Sequence, residues 1–275
     1  MKVLLSTGTL FKKPPWVTAE IARRVGFNGV ELVLGHGFQG SSGEEEIKKT
    51  LKACPIGGIH APFYRLKGWG KLFESLQKTI ALAERFRIPI VTFHPPRWLD
   101  LELGFYRDLK RVRDFQDTFG SRFLSVTIEN MPVTHGTFKV GLYFLSKTDA
   151  LIAFAERHNL DLTLDLTHLG TREKNFLGDV QRFLATGRVK NIHFSDYAGG
   201  REHLFPGKGI LPLREVLESL RATHYNGAIT LELFPREIEG DFREMTDRLT
   251  EALGYIREGL GFGDENSLKE TAHGV

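Results

Sequence analysis

Histidines and carboxylates recur along this chain at the ends of short apolar segments. The six members of the series are His60, His94, Glu129, Asp165, His193 and Glu232. Successive members are separated by 28 to 39 residues, which is about the length of one βα unit. Such units carry the carboxyl ends of their strands to one face, where barrel enzymes place their functional groups. Carboxylate oxygens and imidazole nitrogens are common protein ligands of divalent ions, so the series predicts a metal centre at that face.

The segments between these residues alternate between two patterns. Short runs rich in Val, Ile, Leu, Phe and Thr predict strands buried on both faces. These runs are Val3–Ser6, Gly29–Leu34, Ile56–His60, Ile90–His94, Phe123–Glu129, Leu162–Asp165, Val189–Phe194 and Ala228–Glu232. Helix-like segments lie between them. They are Trp16–Val25, Glu44–Ala53, Leu72–Arg87, Glu102–Phe119, Asp149–Arg157, Glu173–Leu184, Leu213–Arg221 and Phe242–Ile256.

Eight such alternations predict an α/β fold, a single (β/α)8 barrel over residues 1–260 with a C-terminal tail over residues 261–275. A doubly wound open sheet is the alternative architecture. The first strand is not followed by a GxGxxG motif, which argues against a dinucleotide-binding sheet of that kind.

Composition sets the broad class of the protein. Hydrophobic residues make up 41% of the 275 residues and the net charge is only +3, so the charge alone gives no indication of a nucleic-acid partner. The single cysteine, Cys54, rules out an internal disulfide, suits a reducing compartment and is interpreted as a buried filler. No run of 18 apolar residues is present, so no membrane partner is predicted. A cytoplasmic enzyme is the expectation.

The repetition decides between two interpretations of the polar series. One buried histidine is more often a hydrogen-bonded core residue than a metal ligand. Three carboxylates in one barrel mouth, however, would repel each other and lose hydration unless a cation held them. The series as a whole therefore favours a bound divalent ion.

Three further motifs support a family resemblance. Residues 26–32, GFNGVEL, precede and form the second predicted strand, His193-Phe194-Ser195-Asp196 ends the seventh, and Pro206-Gly207-Lys208-Gly209 follows it. With the polar series, they resemble the xylose isomerase-like TIM barrels. That superfamily includes sugar and sugar-phosphate isomerases and epimerases as well as AP endonucleases of the endonuclease IV type (AP endonuclease family 2). The resemblance spans all eight predicted strands.

The isomerase branch implies a complete metal site in this chain. By resemblance, its metal ligands are Glu129, Asp165, His193 and Glu232. The same resemblance assigns substrate contacts to His168 and Arg201, and His203 and Lys208 are added as candidates from the loop that follows the seventh strand. The implied cofactor is a divalent ion, Zn, Mn, Mg or Co, at one or two per chain.

The resemblance also implies a reaction, the isomerisation or epimerisation of a small sugar or sugar phosphate. A proton is removed next to a carbonyl and returned elsewhere, and a divalent ion stabilises the enediolate. Glu129 and Glu232 are the predicted acid and base.

The endonuclease branch is the alternative function, with DNA as its partner. His60 and His94 would join Glu129 around a second ion, and the cluster would activate a water for attack on a phosphodiester. The third metal of that branch needs an Asp where this chain has Arg201. A guanidinium repels cations, so that third site is predicted to be lost.

A non-catalytic ligand-binding barrel is a third, minor alternative, and the oligomeric state is left open, a homodimer being one arrangement. Glu31 is interpreted as a hydrogen-bonded core carboxylate rather than a catalytic one. Trp69 and Trp98, beside basic residues, are interpreted as part of a solvated rim, with phosphate or DNA binding as alternatives. His135 and Lys139 are interpreted as part of a plain surface loop.

Overall fold

Eight parallel strands close into a barrel in the computed structural model, which describes residues 1–38, 42–98, 101–133, 142–171 and 175–262. The barrel strands are β1 (Lys2–Ser6), β2 (Gly29–Val33), β3 (Ile56–His60), β4 (Ile90–Phe93), β5 (Ser125–Glu129), β6 (Asp161–Asp165), β7 (Val189–Phe194) and β10 (Ala228–Leu231). Each strand pairs with its neighbours in chain order, and β10 closes the barrel against β1. The predicted (β/α)8 architecture is confirmed.

Helices cover the outside of the barrel. They are α1 (Pro15–Val25), α2 (Ser42–Ala53), α3 (Leu72–Phe86), α4 (Leu103–Arg111), α5 (Phe115–Phe119), α6 (Thr148–Arg157), α7 (Leu166–Gly170), α8 (Phe176–Ala185), α9 (Leu213–Ala222) and α10 (Phe242–Gly259). Local signals set several of their ends. α1 starts with Pro15 and stops at Gly26, whose φ of 98° suits a residue without Cβ. Asp241 and Glu244 form a capping box at the start of α10.

The apolar core lies mainly between the strands and the helices. Outward side chains of the strands pack there against helix residues such as Phe115, Phe183 and Leu249. A separate small cluster of Leu4, Ile90 and Ala228 lies at the amino-terminal end of the strands. Above this floor the inward-facing side chains of the barrel are polar, and this polar interior holds the candidate site.

The helix predicted over Glu102–Phe119 is the main error in the predicted elements, because the structure has two helices there. The chain is extended at Val112, and Asp114 then caps α5 by accepting a hydrogen bond from the Asp117 amide at 2.8 Å. His158 holds the break open, since its Nδ1 lies 2.7 Å from the Val112 carbonyl oxygen. A tertiary contact therefore ends a helix that local periodicity would continue.

Two short elements were not predicted. α7 follows β6 directly, and a hairpin of β8 (Asp196–Ala198) and β9 (Arg201–Leu204) follows β7. Both are too short to produce a periodic pattern, yet both carry predicted site residues. Cys54 is buried, as expected. His135, Lys139 and the tail from residue 263 onward lie outside the described residues. Within the described ranges, none of the helices combines the length and the apolar character needed to cross a membrane.

Candidate metal centre and active site

Glu129 is the centre of the polar cluster at the carboxyl ends of the strands. Its Oε2 lies 3.1 Å from Nε2 of His60 and 3.3 Å from Nε2 of His94, and its Oε1 lies 3.1 Å from Nδ1 of His168. His60 and Glu129 end their strands, whereas His94 lies one residue beyond β4. The fold thus brings together residues that are up to 108 positions apart in the chain.

His193 forms the second half of the cluster. Its Nδ1 faces three carboxylates, at 3.1 Å from Glu232 Oε2, 3.5 Å from Glu129 Oε1 and 3.6 Å from Asp165 Oδ2. Its other ring nitrogen, Nε2, lies 2.9 Å from Oε2 of Glu31 on β2. The side chain of Glu232 is 23% exposed, whereas those of Glu129, Asp165 and His193 are almost fully buried. Glu232 is therefore the carboxylate of this set most open to a substrate.

The residues of the cluster fit a divalent cation. Asp165 Oδ2 and His193 Nδ1 are buried and have no hydrogen-bond partner among the described residues. The other oxygen of Asp165 is occupied, because Oδ1 accepts hydrogen bonds from the His168 amide and the Thr167 hydroxyl at 2.7 and 2.9 Å. A buried oxygen and a buried nitrogen that lie side by side without hydrogen bonds are the groups that a metal ion would satisfy.

The described part of the chain contains three sets of three residues in which the potential ligand atoms of each set lie within 4.8 Å of one another. The first set is Glu129, Asp165 and His193, and the second is His60, His94 and Glu129. They correspond to the two sites predicted from the sequence, with Glu232 beside the first through its contact with His193. The geometry thus offers both sites, and which of them is filled stays a prediction.

The third set consists of Asp165, His168 and His203. His203 lies on β9 with a φ of 55°, a left-handed conformation that is uncommon for a residue other than glycine. Its ring is 5.5 Å from that of His168, and its Nδ1 lies 3.3 Å from Ser195 Oγ. This set takes its carboxylate from Asp165 and does not need residue 201. The presence of Arg201 therefore does not by itself remove a third group of ligands.

The cluster is electrostatically balanced between acids and bases. Burial opposes ionisation of Glu129, but the charges of His193 and His94 and a hydrogen bond from His168 outweigh it, so its pKa lies well below the ordinary value. Burial is likewise outweighed at Asp165 by His168 and His193, and at Glu232 by His193, and each of these carboxyls has a pKa of about 2. All three carboxylates are therefore charged at neutral pH.

The histidines divide into two groups. Burial disfavours the charged form of His168, but Asp165 and Glu129 outweigh burial and raise its pKa to about 10. The pKa of His193 is raised well above its ordinary value because Glu31, Glu129 and Glu232 surround the buried ring. Burial dominates at His94, whose pKa is lowered. In the metal-free protein, protons on His168 and His193 take the place of a cation.

A polar layer lies directly beneath the ligands. On five strands the residue two positions before the ligand is Thr or Asn, and the five are Thr92, Thr127, Thr163, Asn191 and Thr230. Because side chains alternate along a strand, these residues face the barrel interior one step below the metal centre. The Thr163 hydroxyl lies 2.7 Å from that of Thr127 and 3.0 Å from that of Thr92. The repeated motif Thr/Asn-x-ligand is the signal in the sequence that marks this layer.

The remaining predicted substrate residues lie on the β8–β9 side of the site. Arg201 is exposed on the hairpin, and Lys208 is also exposed, with its ammonium 5.1 Å from the centre of the Phe205 ring. The loop that carries Lys208 is organised by Asp196, whose carboxylate accepts hydrogen bonds from the amides of Gly207 and Gly209 at 3.0 and 2.9 Å. Substrate contact by Arg201 and Lys208 stays a prediction.

A cavity of about 780 Å³ opens on the opposite side, between the loops after β1, β2 and β3. A Cβ added to Gly8, in its wall, would lie 3.5 Å from Glu232 Oε1. Phe63, also in its wall, stacks on His94 with 5.3 Å between the ring centres. The cavity thus lies beside the ligand cluster, and sequence patterns gave no sign of it.

The interpretation of Trp69 as a rim residue is wrong. Its side chain is only 7% exposed and its indole N–H donates to the Phe38 carbonyl oxygen at 2.9 Å. It holds two loops together and offers no face for stacking a base. Trp98 is 43% exposed, in agreement with a rim position. Glu31 is a buried, hydrogen-bonded carboxylate as expected, since it accepts from Asn191 Nδ2 at 3.1 Å.

Comparisons with known proteins agree with this architecture. An uncharacterized protein of Mycobacterium tuberculosis is 27% identical over 94% of this chain and 98% of its own length. D-psicose 3-epimerase of Enterocloster bolteae is 29% identical over 41% of this chain and 38% of its own length. The solved structure of a D-tagatose 3-epimerase-like protein superimposes with a TM-score of 0.68 and 21% identity, covering 94% of this chain and 99% of the other. That last likeness is one of fold.

The family itself is settled by a match that extends over most of the chain. Residues 19–260 match the xylose isomerase-like TIM barrel family, and this range contains every ligand of the polar cluster and all barrel strands except β1. The protein belongs to the xylose isomerase-like TIM barrel family.

Proposed function

We propose that this protein is a divalent-metal-dependent epimerase or isomerase of a small sugar or sugar phosphate. The observation that carries the proposal is the approach of Glu129 and Glu232 to the same buried nitrogen, His193 Nδ1, at 3.5 and 3.1 Å, although that nitrogen has no hydrogen-bond partner among the described residues. The pair adjoins a cavity of ligand size. The similarity to named 3-epimerases in sequence and fold supports the same reaction class.

The two glutamates have separate roles in the proposal. One carboxylate takes a proton from the carbon next to the sugar carbonyl, and the other returns a proton to the opposite face of that carbon. Asp165 and His193 act as fixed ligands, together with Glu129 and Glu232. When bound, a divalent ion offsets the negative charge that develops on the sugar oxygens. Nδ1 of His168 lies 3.0 Å from the Asn130 carbonyl oxygen. This contact holds the ring beside Glu129, where it can contact the substrate.

The cavity between the β1, β2 and β3 loops supports a position for the part of the substrate that does not react. Phe11, which is 65% exposed, and Phe63 offer apolar faces on which a sugar can pack. Lys12 and Lys13 lie at its edge, with Glu46 as the one acidic residue of the described wall. These two ammonium groups favour a substrate that carries an anionic group at the end away from the metal.

The direct test is solvent exchange during turnover. The protein is loaded with Mn²⁺, Co²⁺ or Zn²⁺ and incubated in D₂O with D-psicose, D-tagatose and a panel of ketose phosphates, and NMR follows deuterium incorporation next to the carbonyl. Epimerisation by proton transfer places one deuterium on the reacting carbon of the product. Glu232→Gln should lose product formation by at least about 10²-fold, the lower end of what acid–base catalysis supplies.

The matched control is Asp161→Asn, which neutralises a buried carboxylate at the start of β6, at the far end of the same barrel. This variant should retain turnover. Full activity in Glu232→Gln would contradict the two-carboxylate mechanism. Absence of exchange with every sugar, in protein that demonstrably binds metal, would contradict the proposed substrate class.

Phosphodiester hydrolysis is the second candidate function, and one observation favours it. Three overlapping sets of ligand atoms, sharing Glu129 and Asp165, offer room for more than one ion, which is the arrangement of two-metal hydrolases. The test is cleavage of an oligonucleotide that contains one abasic site by the metal-loaded protein. Cleavage without sugar turnover would replace the epimerase proposal, and His60→Ala with His94→Ala should then abolish it.

A further inference from the structure

Glu31 is a carboxylate that contacts the cluster through His193 but is not among the predicted metal ligands. It lies on β2, a strand that supplies none of the predicted ligands, and only 1% of its surface is exposed. Its Oε2 is 2.9 Å from His193 Nε2, the ring nitrogen that faces away from Glu129, Asp165 and Glu232. A carboxylate at the far nitrogen of a candidate metal-binding histidine is a recurring feature of metal sites.

The carboxylate of Glu31 is held by residues of the neighbouring strands at the level of the polar layer. A Cβ added to Gly58 on β3 would lie 3.4 Å from Glu31 Oε1, in van der Waals contact with the carboxylate. Oε1 accepts a hydrogen bond from Asn191 Nδ2 at 3.1 Å and one from the Thr92 hydroxyl at 3.4 Å. Asn191 is in turn held by the Thr230 hydroxyl at 2.9 Å. These contacts use one carboxylate oxygen and leave the other for His193.

The His193 ring is held by charge more than by hydrogen-bond geometry. Neither of its nitrogens has a hydrogen bond of good geometry among the described residues, although Nε2 is in ion-pair contact with Glu31. The orientation of a buried ring without such hydrogen bonds is set by the charges of the carboxylates on its two sides. Removing the charge behind Nε2 would free the ring to turn or to bind through the wrong nitrogen.

We propose that Glu31 is a positioning residue of the metal centre, which keeps the proton of neutral His193 on Nε2 and presents Nδ1 to the ion. The polar layer of Thr92, Asn191 and Thr230 holds Glu31 in place for this task. The inference rests on the proposed metal centre. It explains why a residue that would be apolar in most barrel interiors is here an acid.

The first experiment measures metal affinity. The Kd for Zn²⁺ and Co²⁺ is determined by competition with a chelator for the full-length wild-type protein, Glu31→Gln and Asp161→Asn, with Tm measured for each metal-free protein. Groups that bind the other ring nitrogen of a metal-ligating histidine contribute about 10–100-fold to metal affinity. Glu31→Gln should therefore raise Kd at least 10-fold, while Asp161→Asn, the matched carboxylate-to-amide change, should leave Kd unaltered whatever its effect on Tm.

The second experiment covers the case in which Glu31→Gln does not fold. In wild-type protein labelled with ¹⁵N-histidine and loaded with Zn²⁺, the His193 resonances should show a proton on Nε2 and zinc on Nδ1. Zinc on Nε2 overturns the inference, as does an unchanged Kd in folded Glu31→Gln. A wild-type protein that binds no divalent ion contradicts the proposed function itself, so the two failures are distinguishable.

Discussion

The two faces of the barrel strands carry side chains of opposite chemistry, apolar on the outside and mainly polar or charged on the inside. The outward face of the strands packs into a continuous apolar shell with the helices. The inward face carries a small apolar floor, then a layer of hydroxyls and amides, then the histidines and carboxylates of the cluster. A shell of close-packed apolar side chains stabilises the fold, whereas a buried layer of charges costs desolvation and gives stability only when it is paired. The contrast implies that the fold and the function can be damaged separately.

Glu129→Gln is the change with the largest expected functional effect. Glu129 contacts His60, His94, His168 and His193, so neutralising it removes the negative charge at the centre of the cluster, together with the metal-ligand and proton-transfer roles that we propose for it. We expect turnover to fall by about 10²–10⁴-fold and the metal Kd to rise, while the circular dichroism spectrum stays that of a folded barrel. Turnover within about threefold of wild type would show that the centre of the cluster is not the catalytic centre.

Phe183→Ala in the apolar shell should have the complementary effect. Phe183 of α8 is fully buried, and truncating a buried Phe costs about 3–5 kcal/mol of unfolding free energy. Urea denaturation of the metal-free protein measures that loss. Activity per folded molecule and metal Kd should stay at the wild-type values. A large change in metal Kd would mean that the shell and the interior are coupled more closely than their chemistry suggests.

The pH dependence of stability should distinguish the metal-free interior from the metal-loaded one. The pKa of His168 rises from 6.5 to about 10 on folding. The stability that its protonated ring contributes to the folded state is therefore fully present below pH 6.5 and is lost as pH rises towards 10. The pKa of Asp165 falls from 3.8 to about 2, and its contribution is complete above pH 3.8 and is lost as pH falls towards 2. Glu232 behaves in the same way as Asp165.

Metal-free protein should therefore be most stable between about pH 4.5 and 6.5, with Tm falling on the alkaline side. Calorimetric scans from pH 5 to 10 measure this. His168→Gln removes one of the two rings with a raised pKa and should make the alkaline fall in Tm shallower, and a bound ion should do the same by replacing a proton. A Tm that is constant from pH 6.5 to 10 in the metal-free wild type would contradict the assignment of charged histidines.

Thr127→Val should have the smallest effect of the four changes. Thr127 lies in the polar layer, where its hydroxyl donates to the Val91 carbonyl oxygen at 3.0 Å and lies 2.7 Å from the Thr163 hydroxyl. The loss of such buried hydrogen bonds costs about 1–3 kcal/mol. Because the Thr127 hydroxyl is hydrogen-bonded to Val91, Thr92 and Thr163 rather than to Glu31 or a ligand side chain, metal Kd should change by less than about threefold. Thermal denaturation and metal titration measure the two quantities on the same sample.

Much of this fold could be predicted from local sequence, because each βα unit of a barrel is a short continuous segment of the chain. The runs Ile56–His60 and Val189–Phe194 were predicted with the bounds that the structure shows, since each is a short apolar segment between turn residues. The helix break at Val112 was missed because it depends on His158, 46 residues away. α7 and the β8–β9 hairpin were missed because they are too short for periodicity to reveal, although they position His168 and His203.

The sequence by itself determined the alternation of strands and helices and the spacing of the ligand-type residues, since both are properties of the chain within one βα unit. Only the tertiary structure decided how those residues face one another. Closure of the barrel placed His193 between Glu31 on one side and Glu129, Asp165 and Glu232 on the other. These four carboxylates come from four different strands or their ends. It also opened the cavity beside Glu232. Distances between side chains on separate strands depend on strand tilt, register and closure, and no local pattern encodes them.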